Sequence, residues 1–285
     1  MTKKNILIAD SGSTKTDWCL ISASGRKKYE STAGMNPYFM QESDMLQLLK
    51  EQLSFSHSKT PIYEVHFYGA GLGQRPMQKK MTSVLKTSFP GAVISVQTDI
   101  LGAARACCGE KEGIVCILGT GSNSCFYTGK KIGFKTPSLG YILGDEGGGT
   151  FLGKKVLQYY LHGIFDSTLM KAFEKEFPLN KEEILDQIYR QPFPNRSLAT
   201  YATFVLRHRG HYMIENIAED ALNEFFLHHI LRYPKVHQRK VHFTGSVAAG
   251  LKDILQILCE QYEIPFGQVI QKPIEGLARY HKQVE

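Results

Sequence analysis

The chain has 285 residues, of which 42% are hydrophobic and 21% charged, with a formal net charge of +7. This composition fits a soluble globular protein, and the length suits two domains of ordinary size. No apolar run reaches the roughly 18 residues of a membrane span, so no membrane contact is expected. The start, Met1-Thr2-Lys3-Lys4-Asn5-Ile6, carries neither an h-region nor a small-residue cleavage site, and a cytoplasmic protein is expected. Short basic groups such as Lys27-Lys28, Lys79-Lys80 and Lys130-Lys131 are scattered rather than gathered in one stripe. They read as turns or solvated helix faces, so nucleic acid is not expected as a partner, and an anionic substrate suits the charge as well. The six cysteines, Cys19, Cys107, Cys108, Cys116, Cys125 and Cys259, form no C-x-x-C pair and read as buried free thiols.

Along the chain, Asn5–Ala9, Asp17–Ser22 and Arg26–Ser31 read as strands, and Asp44–Leu53 as a helix with Leu46, Leu49 and Leu53 on one face. Val65–Tyr68 is a strand, Met77–Ser88 a helix, Ala92–Gln97 a strand and Leu101–Cys108 a helix. The pattern then restarts with strands Ile114–Leu118 and Cys125–Tyr127. Helices are expected at Phe151–Phe165, Ser167–Phe177, Lys181–Arg190, Ser197–Arg209 and His211–Leu231. Val241–Thr244 is a strand, Val247–Tyr262 one helix, and Pro273–Gln283 a last amphipathic helix with Pro in its first turn. The expected domains are 1–110 and 111–272, with the helix at about 273–285 packing back on the first.

Three strand-like runs end in glycine-rich turns: Asp10-Ser11-Gly12-Ser13-Thr14-Lys15, Gly119-Thr120-Gly121-Ser122, and Thr244-Gly245-Ser246-Val247-Ala248-Ala249-Gly250. Glycine lets backbone N–H groups close on an anion, and consecutive amides with hydroxyls make an anion-binding concavity. Three such turns suggest a nucleotide held between two lobes. Asp10 by itself reads as the closure of an Asx-turn, and Lys15 either meets phosphate or points to solvent. Asp99, at a strand end in Thr98-Asp99-Ile100-Leu101-Gly102, is either a helix N-cap or a general base. Gly144-Asp145-Glu146-Gly147-Gly148-Gly149 precedes a helix; acids suit a helix start, but three successive glycines weaken one, and a close backbone approach would explain them. Asn36, before Pro37, is by itself an ordinary turn residue. The histidines of Arg207-His208-Arg209-Gly210-His211 and His228-His229 fit no standard metal spacing.

Taken together, these segments resemble the actin/sugar-kinase/Hsp70 superfamily over essentially the whole chain. More narrowly they resemble the BadF/BadG/BcrA/BcrD group and its N-acetylglucosamine kinases. The resemblance implies an α/β protein of two ribonuclease-H-like lobes with a cleft between them, the second carrying extra helices. It implies ATP and Mg²⁺ as cofactors, with Asp10 at the metal, partly through water. Ser11, Gly12, Ser13, Thr14, Lys15, Gly119, Thr120, Gly121, Gly245, Ser246 and Ala249 would meet ATP. Asn36, Gly71, Ser138 and Asp145 would hold the sugar, and Asp99 would both bind it and accept its proton. The implied reaction is phosphorylation of an amino sugar, N-acetylglucosamine to its 6-phosphate first, with N-acetylmuramate as a variant; a homodimer is left open. Gly69-Ala70-Gly71 and Leu139-Gly140-Tyr141 stand where the animal acetylglucosamine kinases carry Ser-Gly-Gly and a Trp-Gly-His context, which leaves the sugar open. The same group contains ATPase activators of CoA-ester dehydratases and reductases, which bridge two subunits with an iron–sulfur cluster and need exposed cysteines.

Overall fold

The computed structural model describes residues 4–57 and 61–283. The chain divides into two compact units, Met1–Val115 with Tyr127–Gly133 and Lys272–Glu285, and Cys116–Phe126 with Phe134–Gln271.

The first unit runs β1 (Ile6–Ser11), β2 (Lys15–Ile21), β3 (Lys27–Ala33), α1 (Glu42–Gln52), β4 (Glu64–Gly69), α2 (Arg75–Ser88), β5 (Val93–Thr98) and α3 (Asp99–Cys108), and it closes with α12 (Pro273–Gln283). Its sheet has the order β3-β2-β1-β4-β5. β1 pairs antiparallel with β2 and parallel with β4, and β4 pairs parallel with β5. The run Ile6-Leu7-Ile8-Ala9 is apolar on both faces because both are covered. Side chains alternate across a strand, so Leu7 and Ala9 join Met45 and Leu49 of α1 and Met81, Val84 and Leu85 of α2. Ile6 and Ile8 join Ile274, Leu277 and Ala278 of α12 on the other face. Gly276 makes that docking close, since a Cβ there would lie 2.6 Å from the Ala106 carbonyl oxygen on α3. The register sets Ser11 beside Gly69 and Gly69 beside Thr98. The carboxyl ends of the three parallel strands are therefore level, the end at which open α/β sheets bind ligands.

The second sheet has the order β10-β9-β6-β7-β8, from β6 (Glu112–Leu118), β7 (Ser122–Thr128), β8 (Ile132–Phe134), β9 (Val241–Thr244) and β10 (Phe266–Ile270). Between β8 and β9 lie α4 (Gly140–Leu143), α5 (Gly149–Leu161), α6 (Ser167–Glu176), α7 (Lys181–Tyr189), α8 (Pro194–Arg207) and α9 (Tyr212–His228). α6 is capped by the Asp166 carboxylate, and α7 opens with a capping box between Asn180 and Glu183. The expected helix over Val247–Tyr262 is in fact two, α10 (Ser246–Gly250) and α11 (Lys252–Gln261). Leu251, at φ −118° and ψ 26°, leaves the helical region between them. β8, α4 and β10 were not expected. β8 is three residues long, and Phe266-Gly267-Gln268 interrupts the apolar alternation that would mark β10.

Candidate active site

In the first unit, the residues singled out in the sequence gather at the level strand ends. Asp10 and Asp17 are directly opposed on antiparallel neighbours. Like charges in that position repel. Burial, followed by the Asp17 and then the Asp99 carboxylates, raises the Asp10 carboxyl to about 7, while Lys15 opposes the shift. Lys15 Nζ is 2.6 Å from Asp17 Oδ1, which also accepts the Ser31 hydroxyl at 2.6 Å. The buried Asp10 carboxylate thus feels two further carboxylates and one ammonium, a setting that a divalent cation would suit. Among the described residues no group of three or more His, Cys, Asp or Glu side chains forms a metal cage. A buried carboxylate with two more beside it suits Mg²⁺, a hard cation that takes oxygen ligands and binds through few protein carboxylates.

The glycine turn after β1 is closed by Gly12 N–H donating to the Lys15 carbonyl and Gly34 N–H donating to that of Thr14, both at 2.9 Å. A Cβ on Gly34 would lie 2.6 Å from the Ser13 backbone, so the tip of the turn rests on that glycine. Ser11 Oγ is buried; it bonds Thr16 Oγ1 at 2.8 Å and accepts Met35 N–H at 3.2 Å. Its hydroxyl shapes the turn from within, whereas Gly12 and Thr14 are exposed at the tip. Asn36 is buried, and its carboxamide oxygen accepts Tyr38 N–H at 3.0 Å. Gly71, at φ +77°, packs on that oxygen and on the Tyr38 ring, leaving no room for a Cβ. Asn36 and Gly71 are thus brought together. The helix cap that Asp99 could have supplied comes from Thr98, whose hydroxyl accepts Leu101 N–H. Asp99 is the first helical residue, and its Oδ1 accepts Ile100 N–H at 2.7 Å.

In the second unit, Gly119, Thr120 and Gly121 form the turn between β6 and β7, and the start of α5 lies on it. Gly149 N–H donates to the Gly119 carbonyl and Thr150 N–H to that of Thr120, both at 2.8 Å. A Cβ on Gly148 would lie 2.6 Å from the Gly121 backbone, and one on Gly149 3.1 Å from the Gly119 oxygen. Close backbone approach therefore explains Gly148 and Gly149, while Gly147 sits at φ +69° against the Phe225 and Leu118 side chains. Asp145, at φ 61°, turns its carboxylate onto the same turn. Oδ1 accepts Ser122 N–H and Oδ2 the Thr150 hydroxyl, both at 3.2 Å, and a Cβ on Gly121 would lie 2.7 Å from each oxygen. Burial raises the Asp145 carboxyl above the usual carboxylate range despite those two bonds. Ser138 is exposed and donates to the Ser122 carbonyl at 3.4 Å. The buried Ser122 hydroxyl has no partner among the described residues, a polar donor still to be satisfied beside the turn.

Gly245, at φ 108°, sets the third turn against the second: its Cβ position falls on the Leu118 carbonyl and 3.2 Å from Gly119 N. Ser246 opens α10 and is exposed, and Ala249 is half-buried on the same short helix. Gly245→Ala is expected to strain both turns by about 1–3 kcal/mol, lowering the melting temperature by roughly 3–10 °C in a thermal scan.

Sequence reasoning missed the supports of these turns. Glu146 receives His228 and His229 at 3.2 and 3.3 Å. Burial alone would raise the Glu146 carboxyl, but its own backbone amide and the two imidazoles hold it below the usual range. The other two histidines singled out in the sequence pair with carboxylates too, His208 with Glu176 and His211 with Asp166. Acid–base pairs this far apart in sequence leave no local spacing to read. Five of the six cysteines are buried and Cys108 is half-buried.

No family model and no curated protein matches the chain. Among solved structures, a Porphyromonas gingivalis protein provisionally named an N-acetylglucosamine kinase is 38% identical, with 98% of this chain and 99% of that one covered and a TM-score of 0.91. A Chromobacterium violaceum protein provisionally given the same name is 19% identical, covering 98% and 99%, with a TM-score of 0.77. A ROK-family glucokinase from Streptomyces griseus, solved with glucose and AMPPNP, is 13% identical, covering 98% of each chain, with a TM-score of 0.58. The fold is that of the actin-like ATPases and sugar kinases. Within it, the chain belongs to the sugar-kinase family represented by the Porphyromonas gingivalis protein. Among the described residues no helix is long and apolar enough to cross a membrane.

Proposed function

We propose that the protein is a kinase of the BadF/BadG/BcrA/BcrD group that transfers the γ-phosphoryl group of ATP to a hydroxyl of an amino sugar, with the 6-hydroxyl of N-acetylglucosamine as the first candidate. The observation that carries this reading is the buried Asp10 carboxylate with Asp17 and Asp99 beside it, level with the glycine turn at the carboxyl ends of β1 and β5. The name of the 38%-identical relative supports it. The sugar oxygen attacks the γ-phosphorus, its proton passes to the Asp99 carboxylate, the bond to the β,γ-bridging oxygen breaks, and ADP leaves. Asp10 would hold Mg²⁺, partly through water, and the cation would supply charge neutralisation on the phosphate oxygens. Gly12, Ser13 and Thr14 offer amides and hydroxyls to phosphate, with Ser11 shaping their turn and Lys15 adding charge when it leaves its pairing with Asp17. Gly119, Thr120, Gly121, Gly245, Ser246 and Ala249 serve the nucleotide. Asn36, Gly71, Ser138 and Asp145 serve the sugar.

The deciding experiment is an ADP-release assay over N-acetylglucosamine, N-acetylmuramate, glucosamine and glucose. Turnover of the first well above the others is expected; equal or absent activity on all four removes the amino-sugar assignment. The iron–sulfur activator reading loses ground because its cysteines must be exposed, and here they are not.

Thr14→Val is expected to reduce the rise in melting temperature that millimolar Mg·ATP gives the native protein, since a ligand stabilises the folded state by RT ln(1 + [L]/Kd). An undiminished rise in the variant would remove Thr14 from the phosphate contacts. Asp145→Ala is expected to lower kcat/KM for sugar by about 10²-fold or more, because a site built for hydroxyls is left with unpaired polar groups. The Kd for ATP, measured by calorimetry, would change little. If the ATP affinity falls as far as kcat/KM, Asp145 acts only by shaping the Gly119–Ser122 turn.

A further inference from the structure

We propose that the open edge of the first sheet, where β5 runs beside α2, takes an extended acidic polypeptide segment as an added strand. β5 is an edge strand, paired on one side only, with β4. Its sequence Val-Ile-Ser-Val-Gln-Thr contains no charge and no proline, the usual devices by which proteins protect an open edge. Val93 N–H donates inward to the Tyr63 carbonyl at 2.8 Å. By the two-residue alternation of a strand, Ile94 and Val96 direct their N–H and C=O groups out of the sheet. Those groups form a ladder for a second backbone.

Beside this edge runs an open groove of about 580 Å³, lined by Arg75, Lys79, Thr82 and Lys86 of α2 and by Val96 of β5. Positions 75, 79, 82 and 86 recur at i, i+4, i+7 and i+11, so the three cations lie along a single face of α2. All three are exposed, and no carboxylate among the described residues pairs with them. Lys80, next to Lys79, is spent on the Pro37 and Met40 carbonyls and is not part of the groove.

The dimensions match an extended chain. Arg75 and Lys79 are about 6 Å apart along the helix, and Lys79 and Lys86 about 10 Å. Alternate side chains of an added strand are spaced about 6.6 Å, within the reach of lysine and arginine side chains. Every second residue of the segment faces α2 and is acidic. The residues between lie on the opposite face, where Val93 is 69% exposed, and are apolar. A second copy of this chain does not fit, because two-fold pairing of β5 with itself would bring the same three cations face to face. Nucleic acid offers no N–H and C=O ladder for the edge.

The test uses the full chain and a fluorescein-labelled octapeptide of alternating glutamate and valine. Saturable binding at low salt is expected, weakened at least tenfold at 0.5 M salt and at least tenfold by the double variant K79E/K86E. Hydrogen exchange at the Ile94 and Val96 amides is expected to slow when the peptide binds, a response that loose electrostatic association would not give. Failure to bind at millimolar peptide overturns the proposal. So does binding without protection of those amides, or a thymidine hexanucleotide binding as tightly as the peptide. A concentration-dependent dimer that protects β5 without any peptide assigns the edge to a second copy instead. None of these residues belongs to the candidate active site, so the variant's kinase activity is expected to equal that of the native protein.

Discussion

Asp99→Asn is expected to lower kcat by about 10²–10⁴-fold, the usual worth of a positioned general base, with little change in ATP affinity. The geometry makes this substitution informative. The capping role that would give Asp99 a purely structural reason belongs to Thr98, and the bond that Ile100 N–H donates to the Asp99 carboxylate can be kept by the asparagine carbonyl oxygen. The fold should therefore survive. Removing one carboxylate also relieves the crowding at Asp10, so the melting temperature should hold or rise slightly. The check is kcat from ADP release beside a thermal scan of the same preparation. Near-native turnover would reduce Asp99 to a helix-start residue, and a collapse in both quantities would make it a structural one.

The legible part of the fold lay where periodicity and turn chemistry agree. β1 announced itself as Ile6-Leu7-Ile8-Ala9 before a glycine turn, and α12 through Pro273 and its apolar face. The repeated strand–turn pattern suggested a duplicated architecture, the resemblance of the glycine turns implied the actin-like fold, and solved structures share that fold. The site was legible only as residue types. Asp10, Asp99 and Asp145 stand out beside their glycines, but neither the opposition of Asp10 and Asp17 nor the seat of Asp145 on Gly121 can be read from a one-dimensional chain. The long helix expected over Val247–Tyr262 shows the limit from the other side. Its apolar spacing continues through the break at Leu251, where backbone conformation rather than pattern ends α10. Glu146 was read as a helix-start acid, and its partners His228 and His229 lie more than eighty residues away.

Asp10→Asn is expected to separate stability from activity. In the native protein without metal, burial and the neighbouring carboxylates push the folded-state Asp10 carboxyl up to about 7, against 3.8 for an exposed aspartate. Below pH 4 both folded and unfolded forms carry the proton, and the two do not differ. Between about pH 4 and 7 the folded form retains a proton that the unfolded form has lost, so stability falls as pH rises through that window and levels off above it. A shift of this size corresponds to a few kcal/mol, about 1.4 for each pH unit. Asparagine carries no charge in either state and removes the dependence. In EDTA at pH 8 the variant should melt several degrees above the native protein, and the gap should close as pH falls toward 4. Mg·ATP should reverse the order, because the cation compensates the carboxylates of the native protein and has lost its anchor in the variant. Turnover should fall by at least 10²-fold at saturating Mg²⁺ for the same reason. A variant that melts at or below the native protein at pH 8 in EDTA would show that burial and the Asp17 and Asp99 carboxylates do not destabilise the Asp10 charge, and the reading of Asp10 as a cation anchor would go with it.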